Sequence, residues 1–297
     1  MTAPPLPLRH VLLAVAVVAV WGTNFVVIKT ALATLPPLLF ATLRFALAFL
    51  PAAFFVARPP VAWRVLAAYG MLIGAGQFGL MFIALQRDIT PGLASLVIQT
   101  QVFFTIGLAM AFLRERLKRV QVAALVLAAA GLGLIAWHTD ASTTPLGLAL
   151  TLVAALAWAA GNTVAQRAGK VPILGFMVWS SLFALPPLVV LSLAIEGPAA
   201  ITQGLARAGW GTWAAVLWQS LGNTLFGYGA WAWLLARYPA ATVSPMALLV
   251  PVFGMAASAA LLDEPLQPWK LGAAALVLAG LALNLLGPRI ERSARRA

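Results

Sequence analysis

Apolar stretches of about 20 residues, the length a helix needs to cross a bilayer, recur along almost the whole chain. Ten such runs fit, near residues 10–33, 37–57, 64–86, 91–114, 118–137, 145–167, 172–195, 211–236, 241–263 and 268–288. Pro36-Pro37, Arg58-Pro59-Pro60, Pro145, Pro172 and Glu264-Pro265 punctuate the joints, as helix-breaking residues do. The joints are short, so neighbouring helices are expected to run antiparallel as hairpins.

The second half of the pattern echoes the first. Glu115 and Glu264 each close an apolar run, Leu117 and Leu266 follow two residues on, and Gly131 and Gly280 fall in register, all at an offset of 149 residues. Asn24 and Asn162, and Lys29 and Arg167, share an offset of 138, so a longer linker from Glu196 to Gly211 is expected to absorb the difference. This divides the chain into a first repeat, 1–143, and a second, 144–297, with five helices in each and a short basic tail. With the N-terminus cytoplasmic, Arg9, Arg58, Arg64, Arg114, Arg116, Lys118, Arg119, Arg167, Lys170, Arg237 and the arginines at 289, 292, 295 and 296 share that side. Lys29, Arg87, Arg207 and Lys270 fall on the other. Positive charge marks the cytoplasmic side, so both termini are expected inside. An odd number of helices per half then inserts the two halves upside down relative to each other. The fold class expected is an all-α polytopic membrane protein, ten transmembrane helices as two inverted five-helix repeats.

Composition removes competing classes. Hydrophobic residues make up 63% of the chain and charged residues 9%, against about 25% charge in a soluble domain. There are no cysteines, which excludes a disulfide framework and Cys-ligated metal. The net charge of +12 is scattered over joints and the C-terminus with no basic face, so a nucleic-acid partner is not expected. The first run, with Arg9 ahead of it, also fits a signal peptide. It ends in Trp21-Gly22-Thr23-Asn24 rather than a small-x-small cleavage site, and its echo at Trp158 and Asn162 marks it as a retained helix.

Polar groups in hydrocarbon are costly unless paired or hydrated, so they face the bundle interior. The candidates are Asn24, Arg44, Gln77, Gln99, Gln101, Asn162, Gln219, Asn223 and Ser244, flanked by Trp21, Phe78, Phe103, Trp158, Tyr228 and Trp231. Gln219 and Asn223 share one helix face, as do Ser95 and Gln99. Two readings stay open for each amide: interhelical hydrogen bonding or the lining of a pathway. Arg44, about 10 Å from the end of its helix at 1.5 Å per residue, must snorkel, pair or bind an anion, a carboxylate being the natural partner. Lys29 is expected to cap its helix in the interface. All seven acidic residues, and His10 and His138, fall in joints or at helix ends, which disfavours a mid-membrane proton relay. Glu115 beside Arg114 and Arg116 reads as a solvated ion pair. Gly222, Gly227, Gly229, Pro245, Pro251, Gly254, Pro51 and Pro186-Pro187 interrupt helices as hinges or static kinks. Gly70 and Gly74 allow close helix packing.

Several stretches resemble the EamA family of the drug/metabolite transporter superfamily. In the first half they are Trp21-Gly22-Thr23-Asn24-Phe25-Val26-Val27-Ile28-Lys29, Phe54-Phe55-Val56-Ala57-Arg58-Pro59, Gly92-Leu93-Ala94-Ser95-Leu96-Val97 with Gln99 and Gln101, and Phe103-Phe104-Thr105-Ile106. In the second they are Ala157-Trp158-Ala159 with Gly161-Asn162, Leu248-Leu249-Val250-Pro251-Val252 and Leu261-Leu262-Asp263-Glu264. The resemblance spans essentially the whole chain. It implies a central cavity lined by the first, third, fourth, sixth, eighth and ninth helices, alternating access, a bacterial inner-membrane location and export of amino acids and related metabolites. Cysteine and O-acetylserine are the substrates to test; broad export of aromatic amino acids or drugs is the alternative. The substrate-contact candidates are Asn24, Arg44, Gln77, Gln99, Gln101, Trp158, Asn162, Gln219, Asn223, Tyr228 and Ser244. The expected partners are a small-molecule substrate and the lipid bilayer, and no cofactor is expected. An enzyme is disfavoured, since the chain lacks Gly-x-Ser-x-Gly and His-Glu-x-x-His, and ATP-driven transport lacks its phosphate loop.

Overall fold

A computed structural model describes residues 7–113, 119–140, 142–169, 171–238 and 240–294. The first stretch holds α1 (Leu8–Ala31), α2 (Pro37–Ala53) and α3 (Trp63–Met71), which passes through a π-helical segment, Leu72–Gly79, into α4 (Leu80–Arg87). Next, α5 (Pro91–Val97) runs through a 3-10 turn, Ile98–Thr100, into α6 (Gln101–Leu113), and α7 (Arg119–Trp137) follows. The remainder begins with α8 (Pro145–Arg167) and α9 (Ile173–Leu191), the latter extended by a π segment, Ser192–Glu196, to α10 (Gly197–Arg207). Then α11 (Trp210–Leu217) joins α12 (Gly227–Arg237) through a π segment, Trp218–Phe226. A short α13 (Ala240–Val243) and a 3-10 stretch, Ser244–Leu248, lead to α14 (Leu249–Leu262), and α15 (Pro268–Ala294) ends the chain. No strand forms among the described residues.

Eight helical stretches among those residues are long and apolar enough to cross a membrane. The second expected run is a shorter apolar helix, α2, of 17 residues. The eighth is the α11–α12 segment, which carries Gln219, Ser220, Asn223 and Thr224 at its centre. The helices expose apolar side chains outward: Val190 on α9 is 63% and Leu261 on α14 67% accessible. Such surface suits lipid, not water. Proline sits at the first turn of α2, α5 and α8, where its missing N–H costs nothing and its fixed φ suits the helix.

The linker expected between Glu196 and Gly211 is mostly helix. Gly197 takes a positive φ of 78°, open to glycine at little cost, and starts α10. Small residues set the closest helix crossings. A Cβ on Gly70 would strike the Ser180 carbonyl and one on Gly74 the Ala184 side chain, so α3 and its π extension lie directly on α9. Gly131 on α7 and Gly280 on α15 face each other's helices in the same way. Removing side chains at such crossings lets backbones approach.

Candidate functional site

A cavity of about 330 Å³ opens between α1, the π segment after α3, the α5–α6 segment, α8, α9 and the α11–α12 segment. Asn24, Gln77, Gln99, Gln101, Trp158, Asn162, Asn223 and Tyr228 all line it. The helix irregularities sit at the cavity: the Gln77 stretch and the Asn223 stretch are π-helical, and Gln99 lies in the 3-10 turn. Such segments break the regular backbone ladder and are frequent at functional positions.

The amides both line and bind. Gln219 donates from Nε2 to Asn24 Oδ1 at 2.6 Å, joining α11–α12 to α1. Asn162 donates from Nδ2 to Gln101 Oε1 at 2.9 Å, joining α8 to α6. Each therefore ties one half of the chain to the other, while Asn24, Gln101 and Asn162 present a side to the cavity. Trp21 donates from Nε1 to the Asn223 carbonyl at 3.3 Å, with its ring centre 5.4 Å from Tyr228 and 5.2 Å from Trp231. Asn24, Gln101 and Asn162 therefore both border the cavity and bond across helices. Gln77 Oε1 is buried and has no hydrogen-bond partner among the described residues.

Three of the candidates stand apart from the cavity wall. Gln219 is fully buried behind Asn24. Ser244 is half-buried at the start of its 3-10 stretch, near the lining residue Ala247. Arg44 does not snorkel: it is 1% accessible. Its Nη2 donates to Thr224 Oγ1 at 3.2 Å, and its guanidinium lies 3.5 Å from the Phe78 ring centre. Lining residues that the pattern did not single out include Tyr69, Met177 and Ile173. Met177 and Ile173 belong to a helix apolar on every side, which offers no signal; Tyr69 directly precedes Gly70 and was legible only through that neighbour.

At one end of the bundle, carboxylates of the second half cap helices of the first. Asp263 takes a left-handed conformation, φ 52°, which ends α14 and turns Glu264 back. Glu264 Oε2 accepts from the Gly92 N–H at 3.0 Å, at the N-terminus of α5, and from the Ser258 hydroxyl. Its Oε1 accepts from the Thr90 hydroxyl at 2.5 Å and from Lys270 Nζ at 3.0 Å. Burial opposes ionisation of Glu264. Hydrogen bonds from Ser258, Thr90 and Lys270, together with the Lys270 charge, outweigh it and hold the carboxyl below its usual range. Glu196 accepts from the Leu38 and Leu39 N–H groups, at 2.5 and 3.0 Å, at the N-terminus of α2. Anionic caps there satisfy orphan N–H groups and oppose the helix dipole. Lys29 caps not its own helix but the last turn of α4, donating to the Leu85 and Gln86 carbonyls at 2.8 and 3.0 Å. Glu115, the repeat partner of Glu264, lies outside the described residues, as do Arg114 and Arg116.

Apolar helices of membrane length around a cavity of amides and aromatic rings define a multi-pass membrane transporter. The chain belongs to the EamA-like transporter family, whose pattern matches residues 8–137 and again residues 145–286. It is 44% identical over 289 residues to a "probable amino-acid metabolite efflux pump" of Salmonella typhimurium (strain LT2), covering 95% of this chain and 97% of that one. A relative of the same description in Escherichia coli (strain K12) is 39% identical over the same shares. An uncharacterized transporter of Archaeoglobus fulgidus is 26% identical, covering 89% of this chain and 94% of that one. A protein of known crystal structure superposes with a TM-score of 0.61 at 19% identity, covering 96% of this chain and all of the other. That likeness concerns the fold.

Proposed function

We propose that this chain is a secondary exporter of small amino-acid-type metabolites, cysteine and O-acetylserine among them, working by alternating access in a bacterial inner membrane with both termini cytoplasmic. The observation that carries the reading is the amide-lined cavity, closed by side chains from both halves. At about 330 Å³ it lies at the small end of ligand pockets, which span about 300–1,000 Å³. Asn24, Gln77, Gln99, Gln101, Trp158, Asn162, Asn223 and Tyr228 are the proposed contacts, Gln219 positions Asn24, and Ser244 and Arg44 stand at the margins.

Ten spans in two inverted repeats, divided at residues 143 and 144, belong to the same proposal. The packing supports them, because its pattern survives exchange of the halves. The α7 helix packs on α15, the α5–α6 segment on α14, and α2 on α9. The pairing of α1 with α14 is mirrored by α8 with α6, and that of α1 with α12 by α8 with the π segment after α3. Even the π segments recur in both halves, at Leu72–Gly79 and Trp218–Phe226.

A second reading, export of aromatic amino acids or drugs, draws on the lining rings Trp21, Tyr69, Trp158, Tyr228 and Trp231. Uptake of labelled cysteine and O-acetylserine into proteoliposomes, with and without a pH gradient, separates the two. Flux above that of empty vesicles is expected for both compounds. No flux, with inhibition only of aromatic substrates by one another, would establish the second reading instead.

A further inference from the structure

Behind the cavity lies a second, far smaller one that carries a charge. It measures about 10 Å³ and is lined by Arg44, Tyr69, Phe78, Met177, Ser180 and Thr224, among others. Tyr69, Phe78 and Met177 line both spaces, so they form the wall between them. Arg44 and Ser180 are 1% and 2% accessible. Nε and Nη1 of Arg44 and Oγ of Ser180 have no hydrogen-bond partner among the described residues. A guanidinium stays charged under any physiological condition. Burying one unpaired is strongly unfavourable, and one neutral hydroxyl with cation–π contacts to Phe45 and Phe78 offsets only part of that. Buried donors without acceptors, on two residues that line a space the size of one water molecule, leave room for one anionic atom.

We propose that Arg44 and Ser180 hold a small anion between α2, α3, α9 and the π segment after α11: either a halide such as chloride, or one oxygen of a substrate carboxylate reaching past the Phe78 wall. The carboxylate arm rests on the export reading; the halide arm does not. The size of the pocket excludes a bulky anion, and the fork of Arg44 N–H groups favours a full negative charge over water.

The test is thermal melting of the purified full-length protein in detergent, in sodium chloride or in sodium isethionate of equal ionic strength. Isethionate carries a sulfonate too large for the pocket. Binding to the folded state raises the melting temperature, here by about 2–4 °C near saturation. A rise in chloride that Arg44→Gln abolishes assigns the site to an inorganic anion. A rise in isethionate on adding cysteine, but not cysteamine, its decarboxylated analogue, assigns it to the substrate carboxylate. Ser180→Ala keeps the arginine and is expected to raise the half-saturating concentration several-fold in either case, which carries the test if Arg44→Gln fails to fold. Indifference to both probes, or an unchanged response in Ser180→Ala and Arg44→Gln alike, overturns the proposal. Loss of cysteine flux in proteoliposomes removes the export reading and leaves the chloride result standing.

Discussion

Gln219→Leu is expected to lower cysteine flux about tenfold or more while leaving the protein folded and inserted. Gln219 Nε2 donates to Asn24 Oδ1 at 2.6 Å. Gln219 is fully buried, and its Oε1 has no partner among the described residues. Leucine removes that orphan along with the bond, so the helix loses little stability. Asn24 loses the group that orients it, and as a lining residue it can turn its amide to the cavity, where water or substrate can satisfy it. The reverse change, Asn24→Leu, is worse for the fold. It leaves both polar atoms of Gln219 unpaired in the interior, at a cost of about 1–3 kcal/mol. The double variant should recover the melting temperature without recovering flux, because stability follows the unpaired amide and transport follows the lining. Asn223→Leu should also lose flux, with insertion intact. Wild-type flux in both Gln219→Leu and Asn223→Leu would remove this face from the site.

Much of this arrangement was legible because hydrocarbon punishes polar groups. Asn24, Gln77, Gln99, Gln101, Asn162 and Asn223 stand out in apolar runs for that reason alone, and all six reach the cavity. Their partners were not legible. Runs apolar on every side give no periodicity to fix helix rotation, so nothing in the pattern distinguished Gln219, which supports, from Asn223, which lines. Arg44 shows the same limit: its burial cost was readable, its Thr224 and Phe78 contacts were not. Helix α10 is hidden in the stretch from Glu196 to Gly211 that the repeat offsets mark as a linker, although the Pro198 at its start is favourable for a helix and Gly204 is the buried contact point on Pro36. Glu264 was placed correctly at a helix end. Its function there depends on the Thr90–Gly92 turn, distant in sequence and brought close only by packing of α5 on α14.

Removing that carboxylate is expected to be the most destabilising change outside the cavity. Glu264→Ala leaves the Lys270 ammonium, 3% accessible, without its counter-ion, and an uncompensated buried charge costs about 3–5 kcal/mol. It also uncaps the Gly92 N–H at the start of α5. Glu264→Ala with Lys270→Met should recover part of the loss, since the stranded charge is gone while the uncapped helix remains. Glu264→Gln keeps the shape but turns an amide N–H₂ toward surrounding donors, so an intermediate melting temperature is expected. The dependence on pH follows from the depressed ionisation of this carboxyl. A group whose pKa is lowered by folding contributes stability above its unfolded value, and the contribution disappears as pH falls through the folded value. Melting temperature attributable to Glu264, taken as wild type minus Glu264→Gln, should therefore be flat from pH 8 to 5 and decline only below about pH 4. The latch joins the α14–α15 connection to the start of α5, so it has to release if the proposed export cycle parts α14 from α5. A contribution that instead faded between pH 7 and 5 would place proton uptake by Glu264 in the physiological range, and flux through Glu264→Gln with and without a pH gradient would then decide whether that proton is coupled to transport.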